Sequence, residues 1–161
     1  MILVLMGVSG CGKTTVGEIL GDQLGWEFND ADDFHPPSNV AKMRAGHALT
    51  DEDRWPWLDR LNALMRTSEL EGKDTILACS ALRQVYRDRL AQGCKDVRWF
   101  LLKGTFELIQ SRLAARKGHY MNPVLLQSQF ATLEEPANAT VIDIAAAPAA
   151  LAAQIRKTVE G

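Results

Sequence analysis

Cysteine is scarce in this chain of 161 residues. Cys11, Cys79 and Cys94 form an odd set of three with no C-x-x-C spacing, which excludes a disulfide framework and leaves reduced thiols of a cytosolic kind as the expectation. A surplus of charge is missing too: 18 Lys and Arg stand against 20 Asp and Glu, a formal net charge of −2. Without a basic footprint, nucleic acid is not expected as a partner. No stretch approaches the roughly 20 apolar residues of a membrane span, so no membrane partner is expected. The apolar start, residues 1–6, has no basic residue ahead of it and runs straight into glycine, unlike a secretory signal. Internal repeats, low-complexity tracts and linkers are also absent. With 47% apolar and 24% charged residues, the composition is that of an ordinary folded domain, and one cytoplasmic domain over residues 1–161 is expected.

What is present alternates between two periods. Ile2 to Met6 is a continuous apolar run of strand length, the pattern of a strand buried on both faces. Further strands are expected at Trp26–Phe28, Thr75–Cys79, Val97–Leu102 and Val141–Ile144. Helical spacing of apolar residues predicts helices over Lys13–Leu24, from Pro36-Pro37 to Gly46, Asp51–Leu70, Ala81–Leu90, Thr105–Arg116, Val124–Leu133 and Pro148–Val159. The four tryptophans, Trp26, Trp55, Trp57 and Trp99, are expected as packing. Strands alternating with helices imply an α/β fold: a doubly wound, mostly parallel five-stranded sheet with helices on both faces.

Between the first strand and the first helix stands Gly7-Val8-Ser9-Gly10-Cys11-Gly12-Lys13-Thr14, which fits G-x-x-x-x-G-K-S/T in the context a phosphate loop requires. Glycines let successive backbone N–H groups face an anion, and the helix N-terminus adds its dipole. Lys13 is then placed to reach the outer phosphates of ATP, and the Thr14 hydroxyl to bind Mg²⁺. No Asn precedes a Lys, so the N-K-x-D base reader of a GTP switch is missing. A small-molecule kinase is favoured, with its acceptor site at the carboxyl edge of the sheet.

At that edge the second strand runs into Asp30-Ala31-Asp32-Asp33-Phe34-His35-Pro36. Carboxylates and an imidazole suit turn and capping chemistry. They equally suit a base for an acceptor hydroxyl, beside a carboxylate that orients Mg²⁺ through water. If the strand continues through this run, Asp30 and Asp32 face one way and Asp33 the other.

Together, several blocks resemble the gluconate kinase family. They are the phosphate loop; Asp30 to Pro36 with Asn39 and Lys42-Met43; Leu49 to Arg54 with Pro56-Trp57-Leu58; Cys79 to Arg83 with Tyr86-Arg87-Asp88; Arg116 to Met121; and Ser128-Gln129-Phe130 with Leu133-Glu134. They run in the family's order over nearly the whole chain. Cys11 and Tyr120 stand where the family often has Ser and Phe, and Arg83 where Lys is frequent.

The resemblance implies an adenylate and shikimate kinase-like fold. It implies transfer of the ATP γ-phosphate to the 6-hydroxyl of D-gluconate, with a helical substrate region at about 36–70, a lid at about 117–123 and a possible homodimer. It makes Asp32 the general base, with Asp30 nearer the Mg²⁺. For gluconate, Arg54, Arg83 and His35 are candidates for the cationic or donor part, with the holder of the substrate carboxylate left open. Ser80 and Gln129 are candidate hydroxyl readers, Ser80 being equally suited to cap the helix after it. Arg112 and Arg116 share a helical face; the resemblance puts Arg112 and Pro148 on the adenine and Arg116 on the transferring phosphate. A kinase for shikimate or another polyhydroxy acid, or a nucleotide-binding regulatory ATPase, remains an alternative.

Overall fold

The computed structural model describes residues 1–115 and 123–161. Within them, five strands form one sheet: β1 (Ile2–Met6), β2 (Glu27–Asp30), β3 (Thr75–Ala78), β4 (Val97–Lys103) and β5 (Thr140–Asp143). Every pairing is parallel, in the order β2-β3-β1-β4-β5. Seven helices accompany them: α1 (Lys13–Leu24), α2 (Pro37–Arg44), α3 (Asp51–Leu70), α4 (Gln84–Leu90), α5 (Phe106–Ala115), α6 (Pro123–Thr132) and α7 (Pro148–Glu160). Among the described residues, no helix is long and apolar enough to cross a membrane.

The alternation of side chains along β1 builds two cores. Leu3 and Leu5 point to the face that holds Val16 and Leu20 of α1 with Leu151 and Ile155 of α7. Ile2, Val4 and Met6 point to the other, against Leu58, Leu61 and Met65 of α3 and Leu90 of α4. All five residues of β1 are fully buried. At about 1.5–3 kcal/mol for each large apolar side chain, this strand outweighs any surface ion pair, worth about 0–1 kcal/mol. Trp57 and Trp99 are buried as expected, and Trp26 and Trp55 pack at the margins of the two cores.

From β1 the chain runs out to β2, returns to β3 beside β1, and crosses to the far side for β4 and β5. Winding therefore reverses around β1, and in such sheets the crevice opens outside the carboxyl ends of the strands. The register brings those ends level: Asp30 is opposite Ala78, and Leu5 is opposite both Ala78 and Phe100.

Most bounds fall within a residue of the sequence-based expectation, and three larger departures bear on the site. Strand β2 spans Glu27–Asp30 rather than 26–28. Helix α4 begins at Gln84 instead of Ala81, because Ala81 takes a left-handed φ of 45°. The acidic run is no strand extension: Ala31–Phe34 forms a single 3-10 turn, so strict alternation does not orient its carboxylates.

Helix α1 lies close on β2 because it presents glycine there. A Cβ on Gly17 would come 2.2 Å from Phe28 Cε1. Replacing a helical glycine by alanine gains up to about 1 kcal/mol of propensity, whereas overpacking costs typically 1–3 kcal/mol. Gly17→Ala is therefore expected to destabilise the fold in urea titration, and to become neutral or stabilising in a Phe28→Leu background. A neutral single variant would contradict the close approach.

Candidate active site

Strand β1 ends in the phosphate loop, residues 7–14, and the loop's shape depends on its first glycine. Gly7 has φ 145°, and a Cβ there would lie 2.8 Å from both Cys11 Sγ and the Leu102 carbonyl oxygen. Lys13 folds over the loop, its Nζ donating to the carbonyls of Gly7 at 2.9 Å and Val8 at 3.1 Å. The loop is tied to its surroundings by Gly7 N–H, which donates to the Ser80 carbonyl at 3.3 Å. Gln129 of α6 grips Ser9 at two points, accepting from its backbone N–H at 2.7 Å and donating to its hydroxyl at 3.1 Å. Gln129, expected as a hydroxyl reader, is placed here as a brace of the loop.

Strand β2 ends at Asp30, whose two carboxylate oxygens do different things. Oδ1 accepts from the Asp32 N–H at 3.0 Å, capping the 3-10 turn, and Oδ2 accepts from the Thr14 hydroxyl at 2.8 Å. The turn beyond carries Asp32, just past the carboxyl end of β2. Its side chain is 86% exposed, and its pKa is raised from the ordinary 3.8. The first cause is loss of hydration to the surrounding protein and the second is Asp30; Lys13 opposes the rise and Asp33 adds to it.

His35, next along, is stacked on Trp57, ring centres 4.2 Å apart and planes 17° apart. Trp57 is itself fixed by donating its indole N–H to the Ala31 carbonyl at 2.7 Å. Trp57 is thus a shelf for the site as well as core. Burial, and then the Arg54 cation, lower the His35 pKa from the ordinary 6.5. Of the two roles open to it, cation and neutral donor, this environment favours the second.

Helix α3 starts with a capping box that the sequence reading overlooked. Thr50 Oγ1 accepts from Asp53 N–H at 3.1 Å, and Asp53 Oδ2 accepts from Thr50 N–H at 2.8 Å. Lys42 of α2 donates to that same carboxylate oxygen at 2.5 Å. Thus Thr50-Asp51-Glu52-Asp53 is capping chemistry, and it aims the residues beside it. Arg54 donates to the Leu49 carbonyl at 2.6 Å and lies 5.1 Å from the centre of the Tyr86 ring. Arg83 packs on the same ring at 5.5 Å. Asp51 gathers the group, accepting from the Tyr86 hydroxyl at 2.6 Å and from Arg83 at 2.9 Å. The Tyr86 hydroxyl first, then Arg83 and Arg54 against some desolvation, hold the Asp51 carboxyl below its ordinary value. Arg54 and Arg83 are therefore brought together.

Ser80 sits at the strained turn before α4 and does not cap that helix. Gln84 N–H is instead capped by Glu134 Oε1 at 2.7 Å. Arg87, only 2% exposed, holds the turn by donating to the Ala81 and Glu134 carbonyls, each at 2.6 Å. Left-handed φ at a non-glycine residue costs of order 1–3 kcal/mol and persists where its surroundings impose it; here Arg87 imposes it. On the far side of the loop, Arg112 of α5 donates to the Ile144 carbonyl at 2.5 Å, after β5. Pro148 is the first residue of α7, exposed at the same edge of the sheet. Arg116 and most of the 117–123 stretch lie outside the described residues.

A hydroxyl and a carboxylate in contact, Thr14 and Asp30, form a hard-oxygen pair that fits Mg²⁺, which takes one or two protein ligands and completes its shell with phosphate and water. Among the described residues no group of three or more His, Cys, Asp and Glu side chains could hold a metal alone, which agrees with so sparse a donor set.

The comparisons with known proteins agree with this geometry. The family model described as shikimate kinase matches residues 9–159. A probable gluconokinase of Rattus norvegicus is 46% identical over 153 residues, covering 84% of this chain and 83% of the relative. A crystal structure of a sugar kinase from Janibacter sp. HTCC2649 superposes with a TM-score of 0.90 at 44% identity, over 99% of this chain and 94% of that one. That of a gluconokinase from Sinorhizobium meliloti 1021 gives 0.84 at 34% identity, over 98% and 94%.

The capping box makes a prediction with a definite sign. Asp53 is held at about 2, chiefly by Lys42 and then by the Thr50 N–H. A folded-state pKa below the unfolded 3.8 contributes stability above that value, lost as pH falls through about 2. Asp53→Asn is expected to lower Tm at neutral pH, with the gap to the parent closing between those two values. A gap that stays constant across the window would contradict the assignment.

Proposed function

The chain belongs to the gluconokinase family, within the wider shikimate kinase family, and on that footing we propose that it transfers the γ-phosphoryl group of ATP to the 6-hydroxyl of D-gluconate, giving 6-phospho-D-gluconate and ADP. The observation that carries this is the 2.8 Å bond from Thr14 to Asp30. It fastens the phosphate loop to an acidic turn whose Asp32 is close enough to Lys13 to feel its charge. Across the turn, His35 feels the charge of Arg54. Asp32 thus neighbours the phosphate loop, and His35 beside it neighbours Arg54, an order that suits an acceptor with a hydroxyl at one end and a carboxylate at the other.

In this scheme the loop N–H groups of residues 7–14, Lys13 and the N-terminus of α1 hold the phosphates. Catalysis of this kind is mostly positioning and charge stabilisation. Thr14 and Asp30 hold Mg²⁺, which supplies neutralisation of phosphate charge. Asp32 takes the proton of the attacking hydroxyl, and the raised proton affinity noted above suits it for that. Arg54 and Arg83 receive the carboxylate of the sugar acid, exchanging part of their contact with Asp51 and Tyr86 for it. Ser80 lines the same edge. Arg112 and Pro148 flank the adenine, and Arg116 reaches the transferring phosphate, on the resemblance. The proposal includes one kinase domain over 1–161, with a substrate region at 36–70 and a lid at 117–123. It also extends to a homodimer, on the resemblance, and to a cytoplasmic setting, which three free thiols support.

ADP release is expected to require an acceptor and to favour gluconate over shikimate and other polyhydroxy acids, with a phosphorylated product seen by mass. Equal ADP release without an acceptor, or a preference for shikimate, would overturn the proposal. Asp32→Asn is expected to slow single-turnover transfer by about 10²–10⁴-fold. Asp33→Asn is expected to be milder, since successive residues of a 3-10 turn point about 120° apart. Transfer by Asp32→Asn at the parent rate would show that the base lies elsewhere.

A further inference from the structure

The two ring nitrogens of His35 face different partners. Nδ1 lies 3.3 Å from Asn39 Nδ2, and Nε2 lies 4.0 Å from Asp32 Oδ1. With the ring flat on Trp57 and its side chain 5% exposed, it has no room to exchange these faces. Which nitrogen carries the proton is decided by Asn39. That residue is buried, and its amide nitrogen donates to the Asp53 carbonyl at 2.9 Å. A carbonyl only accepts, so turning the amide over would set oxygen against oxygen. The second hydrogen of the same NH₂ then faces His35 Nδ1, which must be the bare, accepting nitrogen. A neutral ring of this kind has its proton on Nε2, aimed at Asp32.

We propose that Asn39 is a positioning residue that locks His35 in the Nε2–H form, and that this N–H donates a hydrogen bond to an acceptor hydroxyl held between His35 and Asp32. The second half rests on the gluconate reading above; the first does not. The gap supports the bracket. At 4.0 Å, Nε2 and Oδ1 are too far apart to bond each other. Two bonds of about 2.8 Å spanning that gap meet at roughly 90° on a shared oxygen. A hydroxyl is both acceptor and donor. It accepts from Nε2–H through one lone pair and gives its proton to Asp32, which leaves the other lone pair to form the bond to phosphorus as the bond to ADP breaks. His35 neither gains nor loses a proton in this sequence.

The lowered proton affinity of His35, from burial and Arg54, agrees with a neutral ring. So does Asn39, which would meet an imidazolium with N–H against N–H.

Two measurements test the inference. Long-range ¹H–¹⁵N correlation of the imidazoles at neutral pH, with the His35 signals assigned by their loss in His35→Gln, is expected to show a bare Nδ1 and a protonated Nε2. A protonated Nδ1, or an imidazolium, overturns the lock whatever the activity. The second measurement is kinetic. His35→Gln keeps an amide donor near the place of Nε2, and its kcat/KM for gluconate is expected to stay within about 10-fold of the parent. His35→Asn puts its amide near the place of Nδ1 and is expected to lose about 10–100-fold, the worth of one hydrogen bond to a reacting or charged partner. Equal losses in the two variants, with both folded by circular dichroism, overturn the donor role. A correct tautomer in a protein that does not phosphorylate gluconate would fault the gluconate reading and the bracketed hydroxyl but leave the lock standing.

Discussion

One carboxylate, that of Asp30, joins the two halves of this site. It terminates β2, caps the 3-10 turn through the Asp32 N–H, and accepts from the Thr14 hydroxyl at the start of α1. The parallel sheet makes this possible, because adjacent in-register strands end at one level and present their loops to the same crevice. Phosphate chemistry and acceptor chemistry therefore sit on neighbouring loops fixed to a rigid edge. Without that bond the loop and the turn would each keep its shape but lose their mutual placement, and phosphoryl transfer is sensitive above all to placement.

A second layer of polar contacts holds the cations in position. Asp51 collects Tyr86, Arg83 and Arg54, and the Thr50–Asp53 box aims the helix that carries Asp51 and Arg54. Arg87 and Glu134 support the strained turn at Ala81, which in turn carries Ser80. Half-exposed pairs of this sort contribute little net stability, but together with the buried Arg87 they specify one arrangement. The strain at Ala81 and Arg87 Nε, the one buried side-chain nitrogen without a partner among the described residues, fall at the same turn, where a precise edge beside the phosphate loop matters more than stability.

Much of this was legible in the sequence because it rests on short-range rules. The β1 run, the phosphate loop and the bounds of α1 and α3 follow from local periodicity and punctuation, and they stand as expected. The acidic turn was found but misdrawn: strand alternation assumes extended backbone, and Asp30 capping its own turn ended the strand there. Ser80 looked like a cap because Ser before a helix commonly is one. The true cap, Glu134, lies 50 residues beyond the Gln84 N–H it accepts from, outside any local rule. Asp51 and Tyr86, 35 residues apart, meet only through the packing of α3 on α4. Asn39 did carry a signal, standing four residues after His35 at a helix start, but its tautomer-setting geometry needs the Asp53 carbonyl to be visible. Gln129 was expected among the readers of the substrate hydroxyls, and only the packing of α6 beside the loop sets it on Ser9, 120 residues away.

The central claim is that one edge of the sheet holds phosphate donor, base and sugar acid together. The most direct measurement is a crystal structure of the protein with Mg²⁺, a non-hydrolysable ATP analogue and gluconate. The account predicts the terminal phosphate in the loop of residues 7–14, the 6-hydroxyl within hydrogen-bonding distance of Asp32, and the gluconate carboxylate on Arg54 or Arg83. Gluconate bound with its 6-hydroxyl turned away from Asp32, or with its carboxylate on neither arginine, would contradict it.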